Sequence, residues 1–270
     1  MCSCGSSSCG CSSLELPSGT NGPAGAAATV VIPNTVYVST SGSDATGTVE
    51  RLDLPYLNIA TAITAAGTLS PSITKRITVI VFPGVYVEDI TMAQYINITT
   101  LTESELLFSG VDYSTIAAKN EDELRPTYID GTVTIGVNNI EYIGINCNEI
   151  IITASISKCN FKNFIASTSI TSTFTSAGGT WYDVHSNSFL PLNTGKTMTG
   201  YYEKCTGDTD SFASSSTAVA GTLNAIMIDC IGNDNCFASS TFGNAGNISG
   251  NAMLIRCKSK GVTSFGSSSS

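Results

Sequence analysis

The sequence predicts an all-β protein, a right-handed parallel β-helix with one N-terminal capping α-helix and an extended N-terminal arm. Three observations carry that expectation. The first is a repeat: Gly200 to Cys205 followed by Phe212, Ala225 to Cys230 followed by Phe237, and Ala252 to Cys257 followed by Phe265 have nearly the same pattern. Two fainter copies precede them, Cys159 with Phe164 and Val184 with Phe189, so positions 159, 184, 205, 230 and 257 recur about every 21 to 27 residues, the length of one solenoid coil. The second is periodicity. Each copy alternates Ile, Val, Tyr, Phe and Thr with polar residues at period 2 and ends at a Gly, Asn, Asp or Ser corner, with no helical period. The third is a lone amphipathic segment ahead of the repeats, placed to cap the first coil.

Within a copy, alternation predicts Ile226, Ile228 and Cys230 on the inward face and Met227 and Asp229 on the outward one. Stacking coils at about 4.8 Å then puts Cys205 under Cys230 and Cys230 under Cys257. Of the ten cysteines six lie in the body, and Cys159, Cys205, Cys230 and Cys257 fall at inward positions of the repeat. Two readings stand for them, buried thiols in a reducing compartment or a staircase of disulfides.

The remaining composition narrows the function. Apolar residues make up 42% of the 270, enough for a core, while only 12% are charged and Ser, Thr, Gly and Asn are abundant. A net charge of −9 leaves no basic patch for a phosphate backbone, so no nucleic-acid partner is expected. No apolar run is long enough for a membrane span, and no basic segment precedes an apolar one near the start, so a soluble chain without a secretory leader is expected.

Taken in order, residues 1–28 read as a Cys-rich arm and linker, and residues 29–270 as the β-helix domain. Met1 to Ser13 has no periodic pattern but holds Cys2, Cys4, Cys9 and Cys11. Their Cys-x-Cys spacing is tighter than that of usual structural zinc sites, so zinc, interchain disulfides and plain packing all remain open. Gly19, Gly22 and Gly25 form either a short collagen-like tract or a flexible linker. Thr29 to Ser43 reads as strand. The capping helix is expected near 55–67, with Tyr56, Ile59, Ala60, Ile63 and Ala66 on one stripe, Pro55 in its first turn and Gly67 at its stop. Strands follow at 77–81, 85–87 and 96–101. The acidic stretch 103–125 reads as a solvated insertion, and strands resume from Tyr128. Beyond the last repeat copy no cap is visible, so a partner or self-association is expected to cover that end.

Val36 to Asp44, Pro55 to Ile63, and Ile77 to Glu88 with its Pro83-Gly84-Val85-Tyr86 turn together resemble the opening of pectin-lyase-like right-handed parallel β-helices, over about residues 35 to 90. That superfamily holds lyases, hydrolases, phage tailspikes and inert fibres, so the resemblance implies a fold and leaves the activity open. The order of arm, Gly-x-x tract and β-helix further resembles bacteriophage head or tail fibres and spikes. This resemblance implies a non-catalytic virion protein, made in the host cytoplasm without secretion, that forms a homotrimer, attaches to capsid or tail proteins through its arm and contacts cell-surface polysaccharide. The alternative is a polysaccharide lyase or hydrolase.

An enzyme of that class needs acids projecting together from neighbouring coils. The nearest set is Asp208, Asp210 and Asp234 at one expected corner, with Lys258 and Lys260 a coil further; calcium on the carboxylates and a lysine base would make a lyase-like site. The bland reading is a wet polar corner. The galacturonase Asp-Asp and Gly-His-Gly motifs are missing, and Arg256-Cys257-Lys258 alone matches their Arg-x-Lys spacing. Trp181 and Tyr182, beside the only histidine, His185, either line a glycan patch or pack inside. No metal or other cofactor is required by any motif.

Overall fold

The structure, a computed structural model, describes residues 31–100, 127–174, 176–192, 195–214, 220–238, 246–249, 251–259 and 267–268. The arm cysteines Cys2, Cys4, Cys9 and Cys11, the Gly-x-x tract, the insertion at 103–125, Lys260 and Phe265 lie outside them. In chain order the elements are β1 (Thr35–Val38), α1 (Ile59–Gly67), β2 (Ile77–Val81), β3 (Val85–Tyr86), β4 (Ile90–Thr91), β5 (Ile96–Thr100), β6 (Tyr128–Ile135), β7 (Ile140–Ile143), β8 (Asn146–Ile152) and β9 (Cys159–Ser172). There follow β10 (Ser176–Ala177), β11 (Thr180–Phe189), β12 (Thr197–Glu203), β13 (Thr206–Ser211), β14 (Thr222–Ile228), β15 (Ile231–Cys236), β16 (Asn247–Ile248), β17 (Met253–Ile255), β18 (Lys258–Ser259) and β19 (Ser267–Ser268).

Every pairing between these strands is parallel, and the strands stack as a β-solenoid with one helix among the described residues. The right-handed path is the one favoured for parallel crossovers, because a right-twisted strand packs back onto its own sheet far more readily that way. Side chains stack in register from coil to coil. Three faces result: a first sheet through β1, β2, β5, β7, the starts of β9 and β11, β12, β14 and β17, a second through β3, the starts of β6 and β8, the middles of β9 and β11, β13, β15 and β18, and a third through β4 and the ends of β6, β8, β9 and β11. On the first sheet the inward column runs Val36, Val79, Ile98, Tyr142, Phe161, Trp181, Tyr202, Met227 and Leu254. All but Leu254 are fully buried, and each such side chain contributes about 1.5 to 3 kcal/mol. The third sheet carries Ile90, Val133, Ile150, Ile170 and Phe189 inward. Beyond it Phe189, Phe212 and Phe237 stack with ring centroids 5.1 Å apart at each step.

The second sheet's inward column shrinks along the axis, through Tyr86, Ile129, Cys147, Ala166, Ser186, Gly207, Gly232 and Ser259. Local crowding is the reason. A Cβ on Gly207 would sit 2.3 Å from Ser211 Oγ, and one on Gly232 would sit 2.5 Å from Cys236 Sγ.

The corner between the first and second sheets is a column of left-handed residues: Gly144, Asn163, Asp183, Lys204, Asp229 and Arg256, with φ of 74°, 56°, 52°, 54°, 53° and 52°. Each directly precedes an inward side chain, so the strand's alternation is reset at the corner. This corrects the simple period-2 expectation for the repeat. Met227 is fully buried and Ile226 is 41% exposed, yet Cys230 still points inward because Asp229 is spent on the turn. The stacking of Cys205, Cys230 and Cys257 is as expected, since Thr206 pairs with Ile231 and Ile231 with Lys258. Cys159 does not belong to that column. It pairs with Ile140 on the first sheet, and Phe164, beside Val184, takes the corresponding place.

Helix α1 begins later than Pro55 suggests, with Asn58 as N-cap, because carboxylates from the coil fix its start. Glu88 accepts the Ile59 and Ala60 N–H groups at 2.7 and 2.8 Å, and Asp44 accepts the Leu57 and Asn58 N–H groups and the Asn58 amide. Ile59, Ala62, Ile63 and Ala66 are buried, and the helix packs on β1 and β2. It thereby covers the first coil's apolar end.

Two measurements test these assignments. In denaturant titrations Lys204→Val should be less stable than Lys204→Gly by about 1 to 3 kcal/mol, since a β-branched residue resists the left-handed region and glycine does not; equal stability would remove the corner's special status. Burial tends to raise the Asp44 carboxyl pKa, but hydrogen bonds from Asn58, Leu57 and Thr61 outweigh it and hold the group below its usual range. A depressed folded pKa means that this stabilisation is present above the unfolded value and is lost as pH falls through the folded one. Asp44→Asn should therefore show a flatter acid limb in melting temperature against pH.

Candidate functional site

The same register that buries one column of the first sheet presents two others to solvent. One runs Lys162, Tyr182, Glu203, Ile228 and Ile255, the other Asn160, Thr180, Tyr201, Ile226 and Met253. Between them, next to the left-handed corner, lies an open groove of about 370 Å³ lined by Lys162, Asn163, Thr180, Tyr182, Tyr201 and Glu203. Its aromatic groups are held by polar neighbours. Tyr201 donates its hydroxyl to Glu203 Oε2 at 2.7 Å, and Lys204 Nζ donates to the Tyr182 hydroxyl at 2.8 Å while sitting 5.0 Å from that ring's centroid. The bond to Glu203, ahead of burial, raises the Tyr201 pKa, and the bond to Tyr182 raises that of Lys204. Both therefore keep their protons at neutral pH.

Towards the helix the outer column continues as a hydrogen-bonded polar ladder. Glu141 accepts Asn97 Nδ2 at 3.2 Å and Asn160 Nδ2 at 3.1 Å. Away from the helix it becomes apolar, with Ile226 41% and Met253 52% exposed. The face thus combines two tyrosine rings, hydrogen-bonding groups of both kinds, one lysine and one carboxylate in the groove itself. Groups of these kinds can stack on and orient a polar ring such as a sugar.

Of the pair Trp181 and Tyr182, only Tyr182 reaches this groove. Trp181 is fully buried, its ring stacked 3.9 Å from Phe161 and 6.1 Å from Tyr202, with Nε1 donating to the Gly178 carbonyl at 3.0 Å. A glycan contact by Trp181 is corrected to a place in the core, because adjacent residues of one strand face opposite ways. Tyr201 is the residue that sequence reasoning missed. Its signal was the alignment of Thr180-Trp181-Tyr182 with Tyr201-Tyr202-Glu203, which puts Trp181 and Tyr202 on one face and leaves Tyr182 and Tyr201 on the other.

The acidic residues lie on the neighbouring strands β13 and β15. Asp208 is taken up by Asn233, whose amide donates to its Oδ1, and Asp234 sits in register with Thr209. The Asp210 backbone turns through the left-handed region at φ 47°, and Lys258 pairs with Ile231 on the second sheet. Asp208 belongs to a polar corner where Asn148 also donates to Asp130 at 2.7 Å and Asn187 to the Ser167 carbonyl at 2.7 Å. His185 lies 3.3 Å from Asp183 and pairs with Thr206 on the second sheet. Among the described residues no three His, Cys, Asp or Glu side chains gather around a point that would hold a metal ion.

The division between inner and outer aromatics is measurable. Trp181→Ala should cost about 3 to 5 kcal/mol in denaturant titrations, whereas Tyr182→Ala should cost about 1 kcal/mol or less. Comparable losses would place both rings in the core. No family model matches the chain, and no curated protein or solved structure compared with it matches.

Proposed function

We propose that this protein is a non-catalytic virion component, a head or tail fibre or spike, anchored by its N-terminal arm and binding host-surface glycans through the Tyr182–Tyr201 groove. The observation that carries the reading is the groove itself: an open, solvent-facing surface with two tyrosines and mixed hydrogen-bonding groups on a rigid sheet. Sugar rings are flat, amphipathic and hydroxyl-rich, and such a surface meets each property. The groove lining offers one carboxylate, Glu203, where hydrolysis by inversion or retention uses two flanking the scissile bond. This lining supports binding without turnover.

The placement on a virion rests on the resemblance of the arm, tract and β-helix order to phage fibres and spikes. A homotrimer joined near the Gly-x-x tract, with the cysteines and the arm on capsid or tail proteins, completes the reading. Ordering residues 1–28 costs about 1 to 2 kcal/mol per residue of backbone entropy, which contacts with other chains would offset.

Titration calorimetry against bacterial surface polysaccharides should show binding by the wild-type chain. Tyr201→Ala and Tyr182→Ala should each weaken it by about tenfold or more, the loss of one stacking contact of about 1.4 kcal/mol. Polysaccharide should be recovered at its original length. Release of new reducing or unsaturated ends would establish the lyase or hydrolase instead. Deleting residues 1–28 should leave the circular-dichroism spectrum of the β-helix intact and remove the protein from particles; particles that keep the truncated chain would refute the anchoring arm.

A further inference from the structure

Three thiols occupy one inward position in consecutive coils, and they are held identically. Cys205 Sγ lies 3.5 Å from the Glu203 carbonyl of its own coil and 3.6 Å from the Trp181 carbonyl of the coil before. Cys230 makes the same two contacts with Ile228 and Tyr202 at 3.5 and 3.6 Å, and Cys257 with Ile255 and Met227 at 3.6 and 3.5 Å. Trp181, Tyr202 and Met227 are themselves in register. Equal contacts mean equal rotamers, so the sulfurs repeat at one strand spacing, about 4.8 Å. All three are free thiols.

That spacing has a chemical meaning. It is far longer than a disulfide of about 2.05 Å, so bridging two of these sulfurs would require the side chains to leave the rotamer that holds them on the backbone carbonyls. It is about twice a metal–thiolate bond of about 2.3 Å. With no third ligand converging among the described residues, a tetrahedral zinc set is not formed here. Two facing sulfurs suit a soft cation that accepts two ligands in a line.

We propose that Cys230 and Cys257 bind one soft monovalent d10 cation, Cu(I), as a near-linear bridge between two coils. Cys257 is half-buried and gives the ion its entry, while Cys205 and Cys230 are fully buried. On binding, one thiol gives up its proton to solvent, as a thiolate ligand must, and the second sulfur donates a lone pair while keeping its proton. The product is neutral, as a dry interior requires, and no electron is transferred. The site is independent of the glycan groove and of the virion reading.

The test uses the full-length chain with Cys2, Cys4, Cys9 and Cys11 replaced by Ser, titrated in chloride-free buffer with Ag(I), a redox-inert probe of the same coordination. One tight equivalent per chain, release of one proton and a rise in melting temperature are expected. Cys230→Ser and Cys257→Ser should each lose that equivalent and Cys205→Ser should keep it, with circular dichroism confirming the fold of each. Cys257→Ala, at the half-buried position, provides a second variant should a serine perturb folding. The site is overturned if the tight equivalent survives in the Cys230 and Cys257 variants, if it vanishes in Cys205→Ser, or if Ag(I) lowers the melting temperature by favouring the unfolded chain.

Discussion

The structure depends on one backbone constraint, the left-handed residue that turns each coil from the first sheet to the second. Gly144, Asn163, Asp183, Lys204, Asp229 and Arg256 occupy it in turn, and only the first is a glycine. A non-glycine residue pays strain of the order of 1 to 3 kcal/mol there, and the solenoid sustains it because the flanking residues on both sides are locked in parallel ladders. What this secures is phase. By consuming one residue at the corner, the turn makes a side chain point inward on each of its sides, so two sheets share one core.

The same corner explains which parts of the fold could be read from the sequence. The coil repeat, the strand segments from 77 to 172 and the capping helix were legible because hydrophobic alternation and helical periodicity report on burial directly. The inward set of the repeat was not, since Asp229 and Lys204 look like ordinary strand residues and nothing in their identity announces a positive φ. Cys159 was drawn into the wrong column for a related reason: matching by residue type favoured a cysteine over Phe164, although the inward position accepts either shape. Asn58 displaced Pro55 as the helix start because the carboxylates that fix it, Asp44 on Asn58 and Glu88 on Ile59 and Ala60, come from distant turns.

The candidate site follows the same logic. Tyr182 could be found from sequence, while Trp181 beside it was resolved only by the stacking of Phe161, Trp181 and Tyr202. The groove needs residues from β9, β11 and β12, three coils whose relative register is set by the corners rather than by local pattern. The aspartates Asp208, Asp210 and Asp234 fall on the neighbouring strands β13 and β15, with Asp234 in register with Thr209, and Asn233 donates to the Asp208 carboxylate.

The corner column also defines a unit of length. Because Asp183 and Lys204 have the same backbone conformation and precede equivalent inward residues, joining Asp183 directly to Cys205 would excise one whole coil and leave every remaining column unbroken. Duplication at the same two points would add one. A gene encoding such a chain can therefore lengthen or shorten the rod in whole-coil steps, by recombination between corner codons, without redesigning its interior. Insertions inside a strand would break the columns, whereas the connections between strands already differ in length, since successive corner residues lie 19 to 27 positions apart.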